Sequence, residues 1–236
     1  MTLFNQALSY DDVLVVPQYS DIESRSEVSL VSELDTNNKF ELPIIASPMD
    51  TVVEAEMALA LAEIGALGVV HRYNSIRDQK EMTWSVANAM PNKPVAAAIA
   101  ITGDFMERAE ALCNSGVTIL CVDVAHGHHI MMKDALMRLR RDLPDDIHIM
   151  AGNVATRKGY EDLADWGANS VRIGIGGGSI CSTRVQTGHG VPTFQSVLDC
   201  SESEYAGTVP IIADGGIKTS GDIVKSLGAG ADFVMI

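Results

Sequence analysis

The chain has 236 residues and is acidic, with 17 Lys and Arg against 31 Asp and Glu and a formal net charge of −14. This charge disfavours nonspecific binding to nucleic acid or to an anionic membrane, although a few local donors can still hold a small phosphorylated ligand. No apolar run approaches the roughly 20 residues that span a bilayer, no signal-peptide pattern opens the chain, and the cysteines lack the spacing of a zinc site or disulfide framework. These features predict a cytoplasmic protein, and the low aromatic content of 5% favours the α/β class.

Predicted elements alternate regularly along most of the chain. Residues 1–40 are polar and irregular, and we expect them to form an extension that packs against a larger unit. After residue 40, hydrophobic strands alternate with helical segments. The predicted strands cover residues 42–46, 67–70, 95–101, 119–124, 147–151, 171–175, 209–213 and 233–236. The predicted helices cover residues 54–64, 104–113, 129–141 and 158–166.

The junctions between helices and strands repeat. Gly65, Gly116, Gly167 and Gly230 each end a helix before a hydrophobic strand, and glycine is a common helix terminator. The first three are equally spaced, as two βα units would be, and eight alternating strands predict a (β/α)8 TIM barrel. An open, doubly wound sheet is the alternative, but no GxGxxG motif opens a helix after the first strand. The chain stops at Ile236 inside the eighth strand, so we expect it to be part of a longer protein.

A glycine-rich stretch, residues 174–184 (GIGGGSICSTR), follows the sixth strand. Its glycines allow a close approach to a ligand, and the amides of such a turn can form a nest for phosphate. Cys181 stands beside this nest with Arg184 three residues later, where a thiolate could be stabilised. A nucleophile next to a phosphate site is one hypothesis, and a turn with a buried cysteine is the other. Cys113 and Cys121 lie in a predicted helix and a predicted strand, and we expect both in the core.

Polar residues stand at nearly every predicted strand end, where the active sites of barrels lie. Asp214, before two glycines, is suited to a bidentate hydrogen bond with a ribose diol. Asp104 is expected to be a helix N-cap rather than a site residue. His126, His128 and His129 are expected to lie in a solvated loop, because no carboxylate or cysteine stands beside them at metal-ligand spacing.

Six motifs, taken in order, resemble the inosine monophosphate dehydrogenase / GMP reductase family over nearly the whole chain. They are LSYDDVL (8–14), ASPMDTV (46–52), DVAHGH (123–128), AGNVAT (151–156), GIGGGSICSTR (174–184) and IADGGI (212–217). The resemblance implies chemistry at C2 of a purine nucleotide through a covalent bond to Cys181. In the dehydrogenases, hydride passes from IMP to NAD and water then releases XMP. In the reductases, GMP loses ammonia and NADPH returns a hydride to give IMP.

The resemblance also implies roles for single positions. Cys181 would be the nucleophile, and Thr183 would help to handle the leaving or attacking group. Asp123 would lie near the nicotinamide cofactor, Ser179 would bind the phosphate and Asp214 the ribose. The full set of implied substrate-binding positions is Ser47, Met49, Asn153, Arg172, Gly178, Ser179, Asp214 and Gly216.

A monovalent cation is implied for the dehydrogenases. The backbone carbonyls of Gly176, Gly178 and Cys181 match its ligands, and potassium is the expected ion. The usual loop has a proline where this chain has Gly177. This difference predicts a more mobile loop and counts against the cation site.

The two activities of the family leave different signatures. Dehydrogenases usually carry a paired regulatory (CBS) domain after the second strand, and the short connection between residues 72 and 95 has no room for it, which favours a reductase. The sequences of the AHGH (125–128) and AGNVAT (151–156) motifs, together with Gly190-Val-Pro192, are more like those of a dehydrogenase. A dehydrogenase is therefore our first expectation, and a reductase is the alternative. A barrel that binds nucleotide without catalysis is an alternative of another class. We expect one catalytic domain over residues 1–236, with the family's flap and last helix beyond it, and a homotetramer as is typical of the family.

Overall fold

The structure is a computed structural model that describes residues 6–177 and 183–236. Of Thr183 it describes only the backbone. Within these residues, β1 (Ser32–Glu33) and β2 (Lys39–Phe40) form a short antiparallel hairpin. Eight parallel strands follow and close into a barrel in chain order. They are β3 (Ile44–Ala46), β4 (Leu67–Val70), β5 (Ala96–Ile99), β6 (Ile119–Asp123), β7 (His148–Val154), β8 (Ser170–Ile173), β9 (Ile211–Asp214) and β10 (Phe233–Met235). The final strand pairs with both β9 and β3, and this closure confirms the predicted (β/α)8 barrel.

Helices cover the outside of the barrel. They are α1 (Ala55–Glu63), α2 (Ile76–Ala89), α3 (Phe105–Cys113), α4 (Ile130–Asp142), α5 (Arg157–Asp165), α6 (Thr183–Thr187), α7 (Thr193–Ser201) and α8 (Ser220–Gly228). The four helices outlined from the sequence correspond to α1, α3, α4 and α5 within one or two residues at each end. None of the helices in the described part of the chain is both long and apolar enough to cross a bilayer.

The hydrophobic pattern outlines no helix at α2 because part of its inward face is polar. Gln79 is fully buried, and its Nε2 donates to the Ala98 carbonyl of β5 at 2.8 Å. Thr83, one turn later, shares a 2.8 Å hydrogen bond with Ser115. The local signal for this helix is its cap, in which the Ser75 hydroxyl accepts from a backbone amide of the first turn.

Asp104 occupies the N-cap position of α3, as predicted, but its side chain does not bond the helix amides. Its Oδ2 instead accepts a hydrogen bond of 3.1 Å from Arg108 Nη2, one turn into the helix. The predicted position is therefore confirmed, whereas the predicted capping bond is wrong. The ion pair competes with the cap because an arginine stands four residues later on the same helix face.

The barrel wall separates two apolar cores. One lies between strands and helices and includes the fully buried Leu112, Leu136 and Leu163. The other fills the barrel interior and includes Met150 and Ile212. Removing apolar surface from water at about 25 cal/mol per Å² is the main source of stability for such a fold. Because successive side chains of a strand alternate between faces, the inward positions at the strand ends form the mouth of the barrel.

The N-terminal extension packs against the barrel, as expected. Leu34 and Phe40 of the β1–β2 hairpin join the interior core from the end where the strands begin. The Phe40 ring meets Phe233 of β10 edge to face, with ring centroids 5.7 Å apart. The hairpin therefore forms the floor of the barrel, opposite the mouth.

Candidate active site

Arg172 of β8 is the centre of a charged cluster at the mouth of the barrel. Its Nη1 donates to Asp123 Oδ1 at 2.7 Å, and its Nη2 and Nε donate to Asp214 Oδ2 at 2.8 and 3.2 Å. The arginine side chain is only 6% exposed. Burial by itself would lower the pKa of Arg172, but Cys121 and the two carboxylates hold it well above the usual value. The guanidinium therefore remains charged and fixes the two acidic side chains, which come from β6 and β9.

Asp214 and Asn153 form the second part of the cluster. Asn153 Nδ2 donates to Asp214 Oδ2 at 2.8 Å and to the Gly174 carbonyl at 2.8 Å. Gly152 must be glycine here, because a Cβ would lie 2.6 Å from Arg172 Cβ. The hydrogen bonds that the described residues give to the Asp214 carboxylate all reach Oδ2. Its other oxygen, Oδ1, accepts no hydrogen bond from the described residues.

Asp123 lies between this cluster and a second arginine. Its Oδ2 is 3.4 Å from Arg72 Nε, which is buried and has no hydrogen-bond partner among the described residues. The Arg72 guanidinium lies over the Tyr73 ring, 4.9 Å from the centroid. An acceptor carboxylate beside a cation and an aromatic face is a suitable arrangement for a polar, planar ligand. The sequence placed His71 and Arg72 at this strand end but gave neither a role.

A cleft of about 590 Å³ opens beside the turns that follow β8 and β9, and none of the four cluster residues lines it. Gly176 and Gly216 line it, and both have a φ of +84°, which a residue with a side chain rarely adopts. Lys218, Arg184 and Thr193 also line the cleft. Sequence reasoning predicted the glycines and missed Lys218 and Thr193, which carry no motif of their own. Asp11 and Asp222 line the same cleft and offset the charges of the two cations, so the backbone amides of its glycine turns are the feature that suits an anion.

Gly177 lies where a side chain has no room. A Cβ at this position would overlap Thr193 Oγ1, from the first residue of α7. The backbone bridge between Ile175 and Val191, with a hydrogen bond of 3.1 Å, closes the two ends of the loop beside this contact. Thr193 therefore leaves room only for glycine at this position, and the predicted mobility of the loop stays a prediction.

The structure does not connect every predicted site residue to the charged cluster. Gly178, Ser179 and Cys181 lie outside the described residues. Ser47 is half-buried at the end of β3, where its amide donates to the Ile236 carbonyl at 2.9 Å, and Met49 beyond it is 38% exposed. Both stand at the mouth of the barrel, but no described hydrogen bond joins them to the charged cluster.

The remaining cysteines are placed in the core. Cys121 is fully buried in β6, and burial above all raises the pKa of its thiol to about 11. Burial likewise raises the pKa of Cys113 to about 11 and that of Cys200 to about 12. The structure thus confirms the core assignment of Cys121 and places Cys113 at the partly buried edge of α3. Neutral, buried thiols are poor nucleophiles.

The histidines after β6 have ordinary structural partners. His128 Nε2 lies 2.7 Å from Asp162 Oδ2, and His129 accepts the amide of Met131 at the start of α4. Across residues 6–177 and 183–236, no group of His, Cys, Asp and Glu side chains could hold a metal ion. That these histidines do not form a metal site stays a prediction.

Fold and mouth together define a (β/α)8-barrel enzyme with a site for a small polar ligand. The IMP dehydrogenase / GMP reductase domain model matches residues 7–236. The chain is 30% identical over 355 aligned positions to an inosine-5'-monophosphate dehydrogenase of Nitrosopumilus maritimus, covering 99% of this chain and 74% of the relative. It is 36% identical over 234 positions to a GMP reductase of Vibrio parahaemolyticus, covering 97% and 67%. A crystal structure of inosine 5'-monophosphate dehydrogenase from Legionella pneumophila superposes with a TM-score of 0.89 at 44% identity, covering 98% of this chain and 69% of that one. The chain belongs to the IMP dehydrogenase / GMP reductase family and is an oxidoreductase of that family.

Proposed function

We propose that the protein is an IMP dehydrogenase, which converts IMP, NAD and water to XMP and NADH. The observation that carries the proposal is the Arg172 cluster, in which one buried guanidinium fixes two carboxylates from different strands at the barrel mouth. Two distinct acceptors held a fixed distance apart suit a site that must bring two ligands together. Family membership makes IMP or GMP the substrate class and a nicotinamide nucleotide the second ligand.

In this proposal, Asp214 binds the nucleotide ribose through Oδ1, the oxygen that no described residue uses. Arg172 and Asn153 hold the carboxylate through Oδ2 and so fix the direction in which Oδ1 points. The phosphate lies in the glycine-lined end of the cleft, beside Gly216 and the proposed ligands Gly178 and Ser179. Ser47 and Met49 complete the nucleotide site from β3.

The nucleophile is Cys181, and its thiolate adds to C2 of IMP. Loss of hydride from C2 leaves the purine bonded to the sulfur. Attack of water at C2 then breaks the carbon–sulfur bond, returns the thiol and releases XMP, with Thr183 handling the attacking water. Support comes from the other three cysteines, because burial raises the pKa of each thiol and so leaves Cys181 as the reactive position.

The residues around Asp123 fit a nicotinamide nucleotide. Asp123 Oδ1 is engaged by Arg172, while Oδ2 lies 3.4 Å from Arg72 Nε and can accept from a ribose hydroxyl. Arg72 Nε, buried without a described partner, is available as a donor once a ligand covers it. The bound cofactor supplies the hydride acceptor that no side chain of this chain can provide.

A potassium ion bound to the carbonyls of Gly176, Gly178 and Cys181 is part of the proposal. Of the three, only Gly176 lies among the described residues, where it is buried and has a positive φ. By binding these carbonyls, potassium would order the loop. The test is to measure the turnover rate as potassium chloride is added and to compare it with the rate in sodium chloride. Equal rates in the two salts would remove the ion from the account.

GMP reductase is the second candidate, and one observation favours it. Only α2 and short turns connect β4 to β5, so this connection carries no regulatory domain. The alignment with the Nitrosopumilus dehydrogenase spans 355 positions, so that relative contains residues without a counterpart here, whereas the alignment with the Vibrio reductase spans 234.

We further propose a single catalytic domain, a cytoplasmic location and a homotetramer.

The deciding experiment supplies the purified protein with IMP and NAD, and separately with GMP and NADPH, while the reduced cofactor is followed by absorbance. NADH formation with IMP supports the dehydrogenase, and NADPH consumption with GMP supports the reductase instead. Cys181→Ala is expected to abolish either reaction. Full turnover by that variant would overturn the covalent mechanism, and binding of IMP without turnover in either assay would favour a barrel that only binds nucleotide.

A further inference from the structure

A chain of three hydrogen-bonded side chains ties the β1–β2 hairpin to the barrel wall, far from the mouth. Asp35 Oδ2 lies 2.5 Å from His148 Nδ1, and His148 Nε2 lies 2.8 Å from Ser170 Oγ. His148 and Ser170 are the first residues of β7 and β8, and neither side chain is exposed. Asp35 and its two partners are called the floor chain below.

The floor chain has the residue types of a nucleophilic triad, but its geometry excludes that function. Ser170 is 0% exposed and its hydroxyl is enclosed beneath the interior apolar core. A substrate would have no path to it, because the hairpin closes this end of the barrel. Three polar side chains in such a place need another explanation, since burying them is costly unless every partner is satisfied.

The hydrogen bonds that reach Asp35 have a defined direction, with the carboxylate as the acceptor. Burial raises the pKa of Asp35, but hydrogen bonds from His148, Asn38 and Asn37 outweigh it and hold this pKa well below its usual value. The carboxylate is therefore ionised and can only accept, so His148 donates from Nδ1. His148 Nε2 and the Ser170 hydroxyl share the second hydrogen bond, so both ring nitrogens have a partner.

The strands that the floor chain holds at the bottom are the strands that carry the cluster at the top. Ser170 and Arg172 are two residues apart in β8, so both point into the barrel, about 7 Å apart along the strand. His148 and Gly152 lie on the same inward face of β7, and Gly152 packs against the Arg172 side chain. A shift of either strand at the floor would therefore move Arg172 at the mouth.

We propose that Asp35, His148 and Ser170 are positioning residues for Arg172. The floor chain bonds the N-terminal hairpin to β7 and β8 and so fixes the positions of these two short strands. The strands in turn fix the position of Arg172 in the charged cluster. The hairpin thus contributes to the active site although it touches none of it. The opposite wall of the interior, with Leu67, Val69, Ala96 and Ala98, is apolar and makes no such connection.

The test uses Cys121 as a reporter, because it is buried and its Sγ lies 3.4 Å from Arg172 Nη1. Labelling of Cys121 by N-ethylmaleimide in the native protein, quantified by mass spectrometry, does not depend on the proposed function. Ser170→Ala is expected to speed this labelling about tenfold, because strand openings that expose the thiol become more frequent. The matched control is Ser115→Ala, a buried serine bonded to Thr83 outside the barrel, which should leave the rate within about twofold.

Two further measurements separate positioning from general loosening. In an Arg172→Met background, Ser170→Ala should add less than about twofold to the labelling rate, because both changes act on the same cluster. In the wild-type background, Ser170→Ala should raise the KM for the nucleotide about fivefold with little change in kcat, whereas Ser115→Ala changes neither. Additive labelling rates, or Ser170→Ala labelling no faster than Ser115→Ala, would overturn the proposal. If Ser170→Ala does not fold, Asp35→Ala, which removes the acceptor for His148 Nδ1 at the partly exposed end of the floor chain, takes its place with the same expectations.

Discussion

Arg172→Met tests the charged cluster most severely. Methionine fills a similar length with an apolar side chain, so the change removes the guanidinium and leaves Asp123 and Asp214 side by side without their shared partner. The two carboxylates are 18% and 13% exposed, so water can compensate only in part. Asn153 would remain as the described donor to Asp214.

The size of the effect follows from burial. Removing one partner of a buried ion pair costs about 3–5 kcal/mol, and the residual exposure of the carboxylates places this site near the lower end, about 3 kcal/mol. For a domain of this size that corresponds to a fall in Tm of about 6–12 °C. Arg172→Lys keeps the charge but loses the forked geometry, so it should fall between the variant and the wild type.

The assay is urea unfolding followed by far-ultraviolet circular dichroism, in parallel with calorimetry. Adding Asp123→Asn and Asp214→Asn to Arg172→Met should recover most of the lost stability, because the uncompensated charges are gone, while activity stays absent. An Arg172→Met protein that unfolds within about 1 kcal/mol of the wild type would refute the view that a buried ion pair organises the mouth.

Three other predictions follow from the geometry. Gly177→Ala should lower the free energy of unfolding by about 1–3 kcal/mol in urea titrations, because the new Cβ would overlap Thr193 Oγ1. Adding Thr193→Ala should restore most of this loss. An unchanged free energy of unfolding in Gly177→Ala would contradict the contact. Cys121 and Cys200, whose pKa values burial raises to about 11 and 12, should resist maleimide labelling near neutral pH in the wild-type protein, and rapid labelling of either would show that its site is open. Because the pKa of Asp35 is depressed in the folded protein, its stabilisation is present above the unfolded pKa of about 4 and is lost as pH falls. Urea titrations of Asp35→Asn should therefore show a stability deficit at neutral pH that shrinks in acid, and a deficit independent of pH would contradict the assignment.

Much of the fold could be predicted because the barrel repeats one local pattern. Most strands from β3 to β10 are apolar runs followed by a turn, and glycines such as Gly116 and Gly167 mark the joints with φ values of +94° and +104°. The helix α2 escaped the pattern because Gln79 and Thr83 occupy inward positions that are usually apolar. The hairpin escaped it because β1 and β2 have two residues each, too few for any periodicity.

The site was predictable as a set of positions but not as a network. Asp123, Asn153, Arg172 and Asp214 were expected at the mouth, and the structure brings these four together through hydrogen bonds of 2.7–3.2 Å. Which oxygen of Asp214 lacks a described hydrogen bond depends on how β7, β8 and β9 lie beside one another in the barrel. No linear motif contains that information. Arg72 lacked a predicted role for the same reason, since its partner Asp123 is distant in sequence.

Cys181 is the proposed nucleophile of this purine nucleotide oxidoreductase. Its most direct test is mass spectrometry of the protein after incubation with an electrophilic IMP analogue, with and without excess IMP. The account predicts a single adduct on Cys181 that IMP suppresses, and none on Cys121 or Cys200. An adduct on another cysteine, or labelling of Cys181 that excess IMP does not slow, would contradict it.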